Sequence, residues 1–199
     1  MTVTSPLDRP VLEAAPLLLG AVFRSGEVAV RITEVEAYQG QGQDAGSHAH
    51  RGRTARNNSL WGPPGTLYVY LSYGIHRCLN LVCGPEGTAS GILLRGGEVV
   101  DGLETARARR PTARRDVELA RGPGRLGTAL GVELTDDGSS IETPPFSLTF
   151  PIARPGRITT SPRVGVSGHA GTDAYPWRFF LDGEPTVSAY RAAALRRPR

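Results

Sequence analysis

The sequence GPPGTLYVYLSYGIHRCLNLVC, residues 62–83, predicts a β-hairpin, and this element sets the fold class of the whole chain. Thr66 to Leu71 and Arg77 to Cys83 are rich in aromatic and β-branched residues, which are enriched in strands. A short turn containing Gly74 separates the two runs. The preceding Pro-Pro-Gly ends a short helix that we predict near Thr54 to Leu60.

The flanking sequence predicts further strands and several short helices. Strands are predicted at Val28 to Tyr38, Gly91 to Arg95, Ser147 to Phe150, Arg163 to Val166 and Arg178 to Leu181. Helices are predicted at Val11 to Leu19 (kinked or shortened by Pro16 and stopped by Gly20), Leu103 to Arg121 (broken at Pro111) and Arg125 to Leu130. This order predicts one α+β domain, residues 1–199, with a mainly antiparallel sheet.

Composition excludes several classes of protein. The 199 residues are 39% hydrophobic, which argues against a disordered chain, and the 25 Gly and 16 Pro predict many turns. Two cysteines are too few for a disulfide scaffold, and we expect Cys78 and Cys83 to be small buried groups on opposite faces of a strand. The apolar runs are too short to span a membrane, and we see no signal peptide, so we expect a soluble, intracellular protein.

The charge pattern points towards nucleic acid. The net charge is +4, and every basic residue is Arg, so the chain has no lysine nucleophile. Between Asp44 and Glu86 there is no carboxylate, although this window holds four Arg, three His and Tyr68, Tyr70 and Tyr73. Arg neutralises phosphates and aromatic rings stack on bases. The alternative is a solvated basic loop beside a Tyr-rich core strand, and a second Arg-rich run, Arg107 to Arg125, is interpreted mainly as a solvated helix face.

Two clusters of titratable residues are candidates for chemistry. Glu34 and Glu36 lie two residues apart on a predicted strand, which places both on one face with Tyr38. Repulsion between two carboxylates raises the pKa of one of them and suits it to act as a general base, whereas the alternative is an exposed edge strand. His48 and His50 form a possible metal pair, but no third ligand has a clear spacing, so we predict no metal site.

Six segments match one known family in order along most of the chain. They are EVEAY (34–38), SHAHRGRTARN (47–57), GPPGTLYVYLSYGIHRCLN (62–80), ILLRGGE (92–98), ARGPGRLGTALGV (120–132) and PRVGVSGHAG (162–171). On these motifs the chain resembles the alkyladenine (3-methyladenine) DNA glycosylases of base-excision repair. It departs from them in the loop between Glu36 and His48, which is one residue longer, and in VSGHAGTDAYPW (166–177).

The resemblance implies a role for each matching residue. Glu36 matches the general base that activates a water, and Arg95 matches the arginine that positions this water. Tyr38 and His48 match the residues that sandwich a flipped base. The remaining matches are Tyr70 as a further pocket wall, Asn80 as the residue that disfavours the 2-amino group of guanine, Tyr73 as the wedge in the duplex, and Ile75 and Arg53 on DNA-facing loops.

The resemblance also implies the overall architecture and the reaction. It implies a curved antiparallel sheet with flanking helices and a protruding β-hairpin. The expected substrate is double-stranded DNA containing damaged purines, with no cofactor, no metal and a monomeric enzyme. Water activated by Glu36 attacks the sugar C1′ and leaves an abasic site. Two alternatives are a DNA-lesion-binding protein with little catalysis and a carbohydrate glycosidase that uses Glu34 and Glu36.

Overall fold

The computed structural model describes residues 5–153 and 155–193, and its strands form one antiparallel sheet. The strands are β1 (Val22–Ser25), β2 (Val28–Tyr38), β3 (Leu67–Ser72), β4 (His76–Leu81), β5 (Gly91–Asp101), β6 (Phe146–Thr149), β7 (Ile158–Ser161) and β8 (Arg178–Leu181). The strand order is β3-β4-β5-β2-β1-β6, with β8 also paired to β2 and β7 paired to β8. The predicted α+β class is therefore confirmed.

The helices are short and lie between the strands in sequence. The α-helices are α1 (Val11–Ala14), α2 (Leu103–Arg109) and α3 (Pro123–Leu130). The 3-10 helices are Pro6–Asp8, Ala15–Leu18, Ala55–Trp61, Asp116–Glu118, Leu134–Asp136 and His169–Gly171. No helix among the described residues is long and apolar enough to cross a membrane.

Strand β2 is central to the sheet because it pairs along its length with three other strands. Its first half pairs with β1 and its second half with β8, while β5 runs along the other edge. Glu34 and Glu36 lie in the half between β5 and β8, and both are fully buried. The edge-strand alternative for these two carboxylates is therefore wrong.

The hairpin prediction is confirmed in position and register. Strand β3 pairs with β4 from Leu67↔Leu81 to Ser72↔His76. The N–H of Ile75 donates to the carbonyl of Ser72 at 3.1 Å, and φ is positive at both Tyr73 (51°) and Gly74 (73°). A non-glycine residue rarely adopts this left-handed conformation, so the turn holds Tyr73 in a strained backbone at the hairpin tip.

Side chains alternate between the two faces of the sheet, and this alternation separates the core from the site. One face buries the main hydrophobic core, which includes Leu67, Val69, Leu79, Leu81, Ile92 and Leu94 together with Leu126, Ala129 and Leu130 of α3. The intervening residues point the other way, and there Tyr68 packs with Leu60 and Val82 in a second cluster. Both cysteines are buried as predicted, Cys78 on β4 facing the second side and Cys83 in the main core, although Cys83 lies two residues beyond the end of β4 and not on a strand.

A double irregularity in the β2–β5 pairing redirects one arginine. Gly97 pairs with Ile32, Gly96 with Glu34 and Leu94 with Val35, so Arg95 has no partner in the register. The irregular pairing requires glycine at position 97, because a Cβ on Gly97 would lie 2.6 Å from the carbonyl oxygen of Arg31. Bulges of this kind re-aim side chains near active sites.

The first predicted helix is shortened at Pro16 as expected: an α-turn, Val11–Ala14, is followed by a 3-10 turn, because Pro16 lacks the N–H that a continuous helix would need. Two other predicted elements differ in the structure. The stretch predicted to be helical from Leu103 to Arg121 holds only α2 and the 3-10 turn Asp116–Glu118. The strand predicted at Arg163 to Val166 is wrong: β7 occupies Ile158–Ser161 instead. Arg163 lies beyond it and is fully buried in an ion pair that no local pattern indicates.

Candidate active site

A cavity of about 460 Å³ opens on the second face of the sheet. Strand residues supply its floor, and the loops 45–48 and 164–167 and Pro123 complete its rim. Six of the residues singled out in the sequence line it: Tyr38, His48, Tyr70, Tyr73, Asn80 and Arg95. The volume is within the range typical of small-molecule sites.

Glu36 lies directly behind the cavity wall formed by Tyr38 and Arg95. Its Oε2 accepts the Tyr38 hydroxyl at 2.8 Å and lies 3.3 Å from Nη1 of Arg95. Its Oε1 accepts the backbone N–H of Val164 at 2.6 Å. Since a carboxylate has about four lone-pair positions, these three donors orient Glu36 and leave one position for a further donor such as water.

Glu34 is the anchor for two arginines rather than half of a repelling carboxylate pair. Its Oε1 lies 2.9 Å from Nε of Arg95 and 2.7 Å from Nε of Arg178. The N–H of Ser188 donates to Oε2 at 2.7 Å. Burial raises the pKa of Glu34, but the two guanidiniums and the Ser188 N–H outweigh it and lower the pKa overall. Glu34 is therefore not the carboxylate of this pair whose pKa is raised.

Arg95 is held between the two carboxylates by the bulge described above. Its side chain is 8% exposed, and each carboxylate beside it is fully buried. Burial lowers its pKa, whereas Glu36 and Glu34 raise it by more, so the guanidinium stays charged. The backbone carbonyl of Arg95 also accepts the N–H of Gly122 at 2.9 Å, which ties this strand to the start of α3.

The Tyr38 hydroxyl is a permanent hydrogen-bond donor to Glu36. Burial first, and then the negative charge of Glu36, raises the pKa of Tyr38 well above its ordinary value. The phenol therefore stays protonated at neutral pH, and its ring borders the cavity. Tyr38 thus links the wall of the cavity to the buried carboxylate.

A cluster of aromatic rings forms another wall. Tyr68 and Tyr70 stack with ring centroids 5.5 Å apart, and His48 lies edge-on to Tyr70 at 4.6 Å. Nδ1 of His48 is 2.9 Å from the Tyr68 hydroxyl. Burial, and then the positive charge of Arg56, lowers the pKa of His48, which favours a neutral ring at physiological pH. An aromatic enclosure with a neutral imidazole suits a planar ligand.

Asn80 places one amide on the cavity floor. Its Nδ2 donates to the backbone carbonyl of Tyr68 at 3.2 Å, and the side chain is nearly fully buried. This hydrogen bond fixes the orientation of the Asn80 amide, in which Nδ2 is the donor and Oδ1 is the acceptor. Gly91 lies beside it and also lines the cavity.

The hairpin tip borders the cavity at Tyr73, whereas Ile75 and Arg53 lie outside the cavity lining. Tyr73 is 91% exposed and Ile75 is 70% exposed, so the turn presents two large side chains to solvent. The Nε of Arg53 donates to the side chain of Asn58 at 2.6 Å, and its guanidinium lies 5.8 Å from the Trp61 ring centroid. The structure therefore joins Tyr73 to the rim of the cavity and leaves Ile75 and Arg53 on the surface around it.

Other charged or histidine clusters behave as structural groups. No cluster of three or more His, Cys, Asp or Glu suited to a metal occurs in residues 5–153 and 155–193, and this region includes His48 and His50. In the second basic run, Arg107 pairs with Glu104 and Asp116, and Arg115 pairs with Glu118, on the protein surface. Pairs of this exposed kind contribute little to stability.

Sequence reasoning missed the buried pair of Asp44 and Arg163 and the role of Glu34. Arg163 forms two hydrogen bonds to Asp44, and both side chains are fully buried. Arg163 lies within a matched motif, but its partner is 119 residues away. The one sequence signal was that Asp44 is the last carboxylate before the Arg- and Tyr-rich window.

Comparison with known proteins gives a consistent result. A family model described as methylpurine-DNA glycosylase matches residues 5–185. A protein of Nocardia farcinica named "Putative 3-methyladenine DNA glycosylase" is 53% identical, over 94% of this chain and 93% of its own length. Proteins with the same name from Streptomyces avermitilis and Leifsonia xyli subsp. xyli are 52% and 54% identical, over 96% and 90% of this chain and 92% and 88% of theirs.

The matches define the class of protein first: it is a DNA glycosylase of base-excision repair, a hydrolase that acts on DNA. More particularly, the chain belongs to the methylpurine-DNA glycosylase family. Family membership decides against the carbohydrate-glycosidase interpretation of Glu34 and Glu36. It agrees with the structure, in which Glu34 is occupied by Arg95, Arg178 and Ser188.

Proposed function

We propose that this enzyme extrudes a damaged purine from duplex DNA into the 460 Å³ cavity and cuts its N-glycosidic bond with water activated by Glu36. The observation that carries the proposal is the position of Glu36, which is fully buried directly behind a cavity wall made by Tyr38 and Arg95. A base within a duplex is inaccessible to such a buried carboxylate, so the nucleotide has to leave the stack.

The proposed reaction needs one proton acceptor and no covalent intermediate. The bond from the base nitrogen to C1′ breaks, and its electron pair leaves with the base. The oxygen of the water bonds to C1′, and the proton it loses passes to Glu36. Arg95 orients the water and keeps the carboxylate in place. An alkylated purine that carries a positive charge leaves readily, whereas a neutral base needs a proton as it departs.

The cavity walls provide the affinity for the extruded base. We propose that Tyr38 and His48 stack on it from the two sides and that Tyr70 closes a third side. Stacking contributes about 1–3 kcal/mol per base, which offsets part of the cost of extrusion. We propose that the Asn80 side chain, held on the floor by its bond to the Tyr68 carbonyl, leaves no room for the 2-amino group of guanine and so disfavours normal guanine by steric exclusion.

The surface around the cavity fits the DNA backbone. We propose that Tyr73, exposed at the hairpin tip, fills the gap in the duplex, with Ile75 beside it and Arg53 against the phosphates. Arg residues neutralise phosphates, and an apolar or aromatic wedge stabilises an unstacked step. We propose that the enzyme binds DNA as a monomer inside the cell, at the nucleoid in a bacterium, since its substrate is found there.

We further propose that the enzyme stops at the abasic site. The chain contains no lysine, so no side-chain amine is available to attack C1′ and form the Schiff base of a lyase step. Strand cleavage before the addition of alkali would contradict this proposal.

The test of the proposed function is base release from duplex oligonucleotides that each carry one modified purine. Hypoxanthine, ethenoadenine and 3-methyladenine would be compared, with alkali added afterwards to cut abasic sites. Release from at least one substrate, with strand cleavage only after alkali, is the expected result. Tight binding without release of any base would favour a lesion-binding protein over an enzyme.

Substitution of Tyr73 by Ala tests the wedge. The variant is expected to bind a lesion duplex about 5- to 150-fold more weakly, since a stacking contact of about 1–3 kcal/mol is lost. Affinity for a single strand that carries the same lesion should change much less, because no gap in a duplex has to be filled. Fluorescence anisotropy measures both affinities, and Tyr190→Ala, at an exposed tyrosine outside the cavity lining, is the control. Equal losses on the two substrates would exclude the wedge role.

A further inference from the structure

A buried ion pair joins the two loops that form the rim of the cavity. Nη1 and Nη2 of Arg163 bond to the two carboxylate oxygens of Asp44 at 2.5 and 2.7 Å, and both side chains are fully buried. The same nitrogens donate to the backbone carbonyls of Ala37 and Ala170, each at 3.0 Å. Such a bidentate guanidinium–carboxylate pair has a narrowly defined geometry, so it fixes the relative position of the loops.

The guanidinium of Arg163 also supports the ring of Tyr38. Its central carbon lies 4.4 Å from the Tyr38 ring centroid, and the rings of Trp177 and Tyr175 lie at 5.0 and 5.9 Å. Because Arg163 is fully buried whereas Tyr38 borders the cavity, the guanidinium lies on the side of the ring that faces the protein. A cation at this distance over an aromatic face attracts the ring, so the guanidinium supports the Tyr38 ring on that side.

Arg163 and Asp44 are each connected to residues of the candidate active site. The residue after Arg163 is Val164, whose N–H donates to Glu36 at 2.6 Å. The carboxylate of Asp44 accepts the backbone N–H groups of Gly46 and Gln39 at 2.8 and 3.2 Å, and this turn leads into Ser47 and His48. Gly46 has no space for a side chain, because a Cβ there would lie 2.7 Å from Nη2 of Arg163.

We propose that Arg163, locked by Asp44, is a positioning residue that holds Tyr38 in the orientation in which its ring stacks on the extruded base. The proposal rests on the proposed function, since it assigns Arg163 to the wall that receives the base. Arg163 touches neither substrate nor the reacting atoms, and it acts through Tyr38. Lysine cannot replace it, because an ammonium has neither the planar face nor the paired donors.

The test compares two duplexes, one that offers a base for Tyr38 to stack on and one that does not. One carries ethenoadenine on a 2′-fluoro sugar, which resists cleavage because the fluorine opposes positive charge at C1′. The other carries a tetrahydrofuran abasic-site analogue. For Arg163→Lys and Asp44→Asn, affinity for the ethenoadenine duplex is expected to fall about tenfold, because a displaced Tyr38 ring loses part of the free energy of stacking on the base. Affinity for the abasic analogue should stay within about twofold.

The ratio of the affinities for the ethenoadenine duplex and the abasic-analogue duplex distinguishes a misplaced Tyr38 ring from a loss of folded protein. A variant that is only partly folded loses the same active fraction on both duplexes, so its ratio does not change. Arg31→Lys is the control, since Arg31 also forms ion pairs with carboxylates, Glu98 and Glu184, and neither it nor these partners line the cavity. Its ratio should equal that of the wild type. An unchanged ratio in both Arg163→Lys and Asp44→Asn would overturn the proposal.

A double-mutant cycle with Tyr38→Ala shows whether Arg163 acts through Tyr38. The tenfold effect of Arg163→Lys should shrink to within about twofold once the ring is removed. A full effect in the Tyr38→Ala background would also overturn the proposal. If Tyr38→Ala itself leaves the ratio unchanged, Tyr38 does not stack on the base, and the pocket assignment fails rather than the link from Arg163 to Tyr38.

Discussion

Glu36→Gln is expected to lower the single-turnover rate of base release by about 10²–10⁴-fold, the range typical for the loss of a general base. The amide keeps an oxygen for the N–H of Val164 but can no longer accept a proton from water. It also presents an N–H₂ group in place of the oxygen that accepts from Tyr38 and faces Arg95. Release from charged 3-methyladenine should fall less than release from neutral ethenoadenine, because the charged base leaves with less help from the nucleophile.

The Glu36→Gln result has to be separated from a loss of folding or of DNA binding. Affinity for the duplex with 2′-fluoro ethenoadenine should change by much less than the rate, since the cavity walls are retained. Glu98→Gln is the matched control, because Glu98 lies on β5 at the surface in an ion pair with Arg31. A rate near that of the wild type in Glu36→Gln would show that another group activates the water.

Glu34→Ala is expected to destabilise the protein by about 3–5 kcal/mol, the cost of breaking a buried ion pair by removing one partner. Glu34 is fully buried and holds Arg95, Arg178 and the N–H of Ser188. Without it, Arg178 loses its carboxylate partner, and Arg95 keeps only Glu36. The free energy of unfolding in urea measures the effect. Glu98→Ala, which removes an exposed partner on the neighbouring strand, should cost no more than about 1 kcal/mol.

The pH dependence of stability gives a second signature of Glu34. Its pKa is lowered in the folded protein relative to the ordinary value of 4.5, so the folded state binds the proton more weakly than the unfolded state does. The stabilisation is therefore complete above pH 4.5 and is lost as the pH falls through the folded-state pKa. The difference in unfolding free energy between the wild type and Glu34→Gln should shrink in this acidic range. A constant difference would mean that the charge of Glu34 is not what stabilises the protein.

The local elements were predictable because their patterns are local. The hairpin over 67–81 and the strand Val28–Tyr38 match the predicted segments closely, since alternation and turn residues report burial and chain reversal directly. The short strands of the last third were less predictable. There the prediction placed a strand at Arg163 to Val166, where a buried arginine serves a distant aspartate instead.

The candidate site residues were predicted by motif, but their relationships were not. Glu36, Tyr38 and Arg95 were named from the sequence, and the structure brings them together. The edge-strand alternative, which exposed Glu34 and Glu36 to solvent, was wrong, because β2 is a central strand and two arginines surround Glu34. No spacing along the chain reports a contact across 61 or 144 residues.

The sequence by itself determined the family, the hairpin, the central strand and the types of residue available for catalysis, including the lack of lysine. These depend on composition, on the two-residue period of strands and on motifs that lie within short segments. The tertiary structure alone decided that Glu34 anchors two arginines, whereas Glu36 lies behind the cavity wall formed by Tyr38 and Arg95. That division depends on a bulge in the β2–β5 register and on burial, which bring charges from distant segments within hydrogen-bond distance and thereby set their energies.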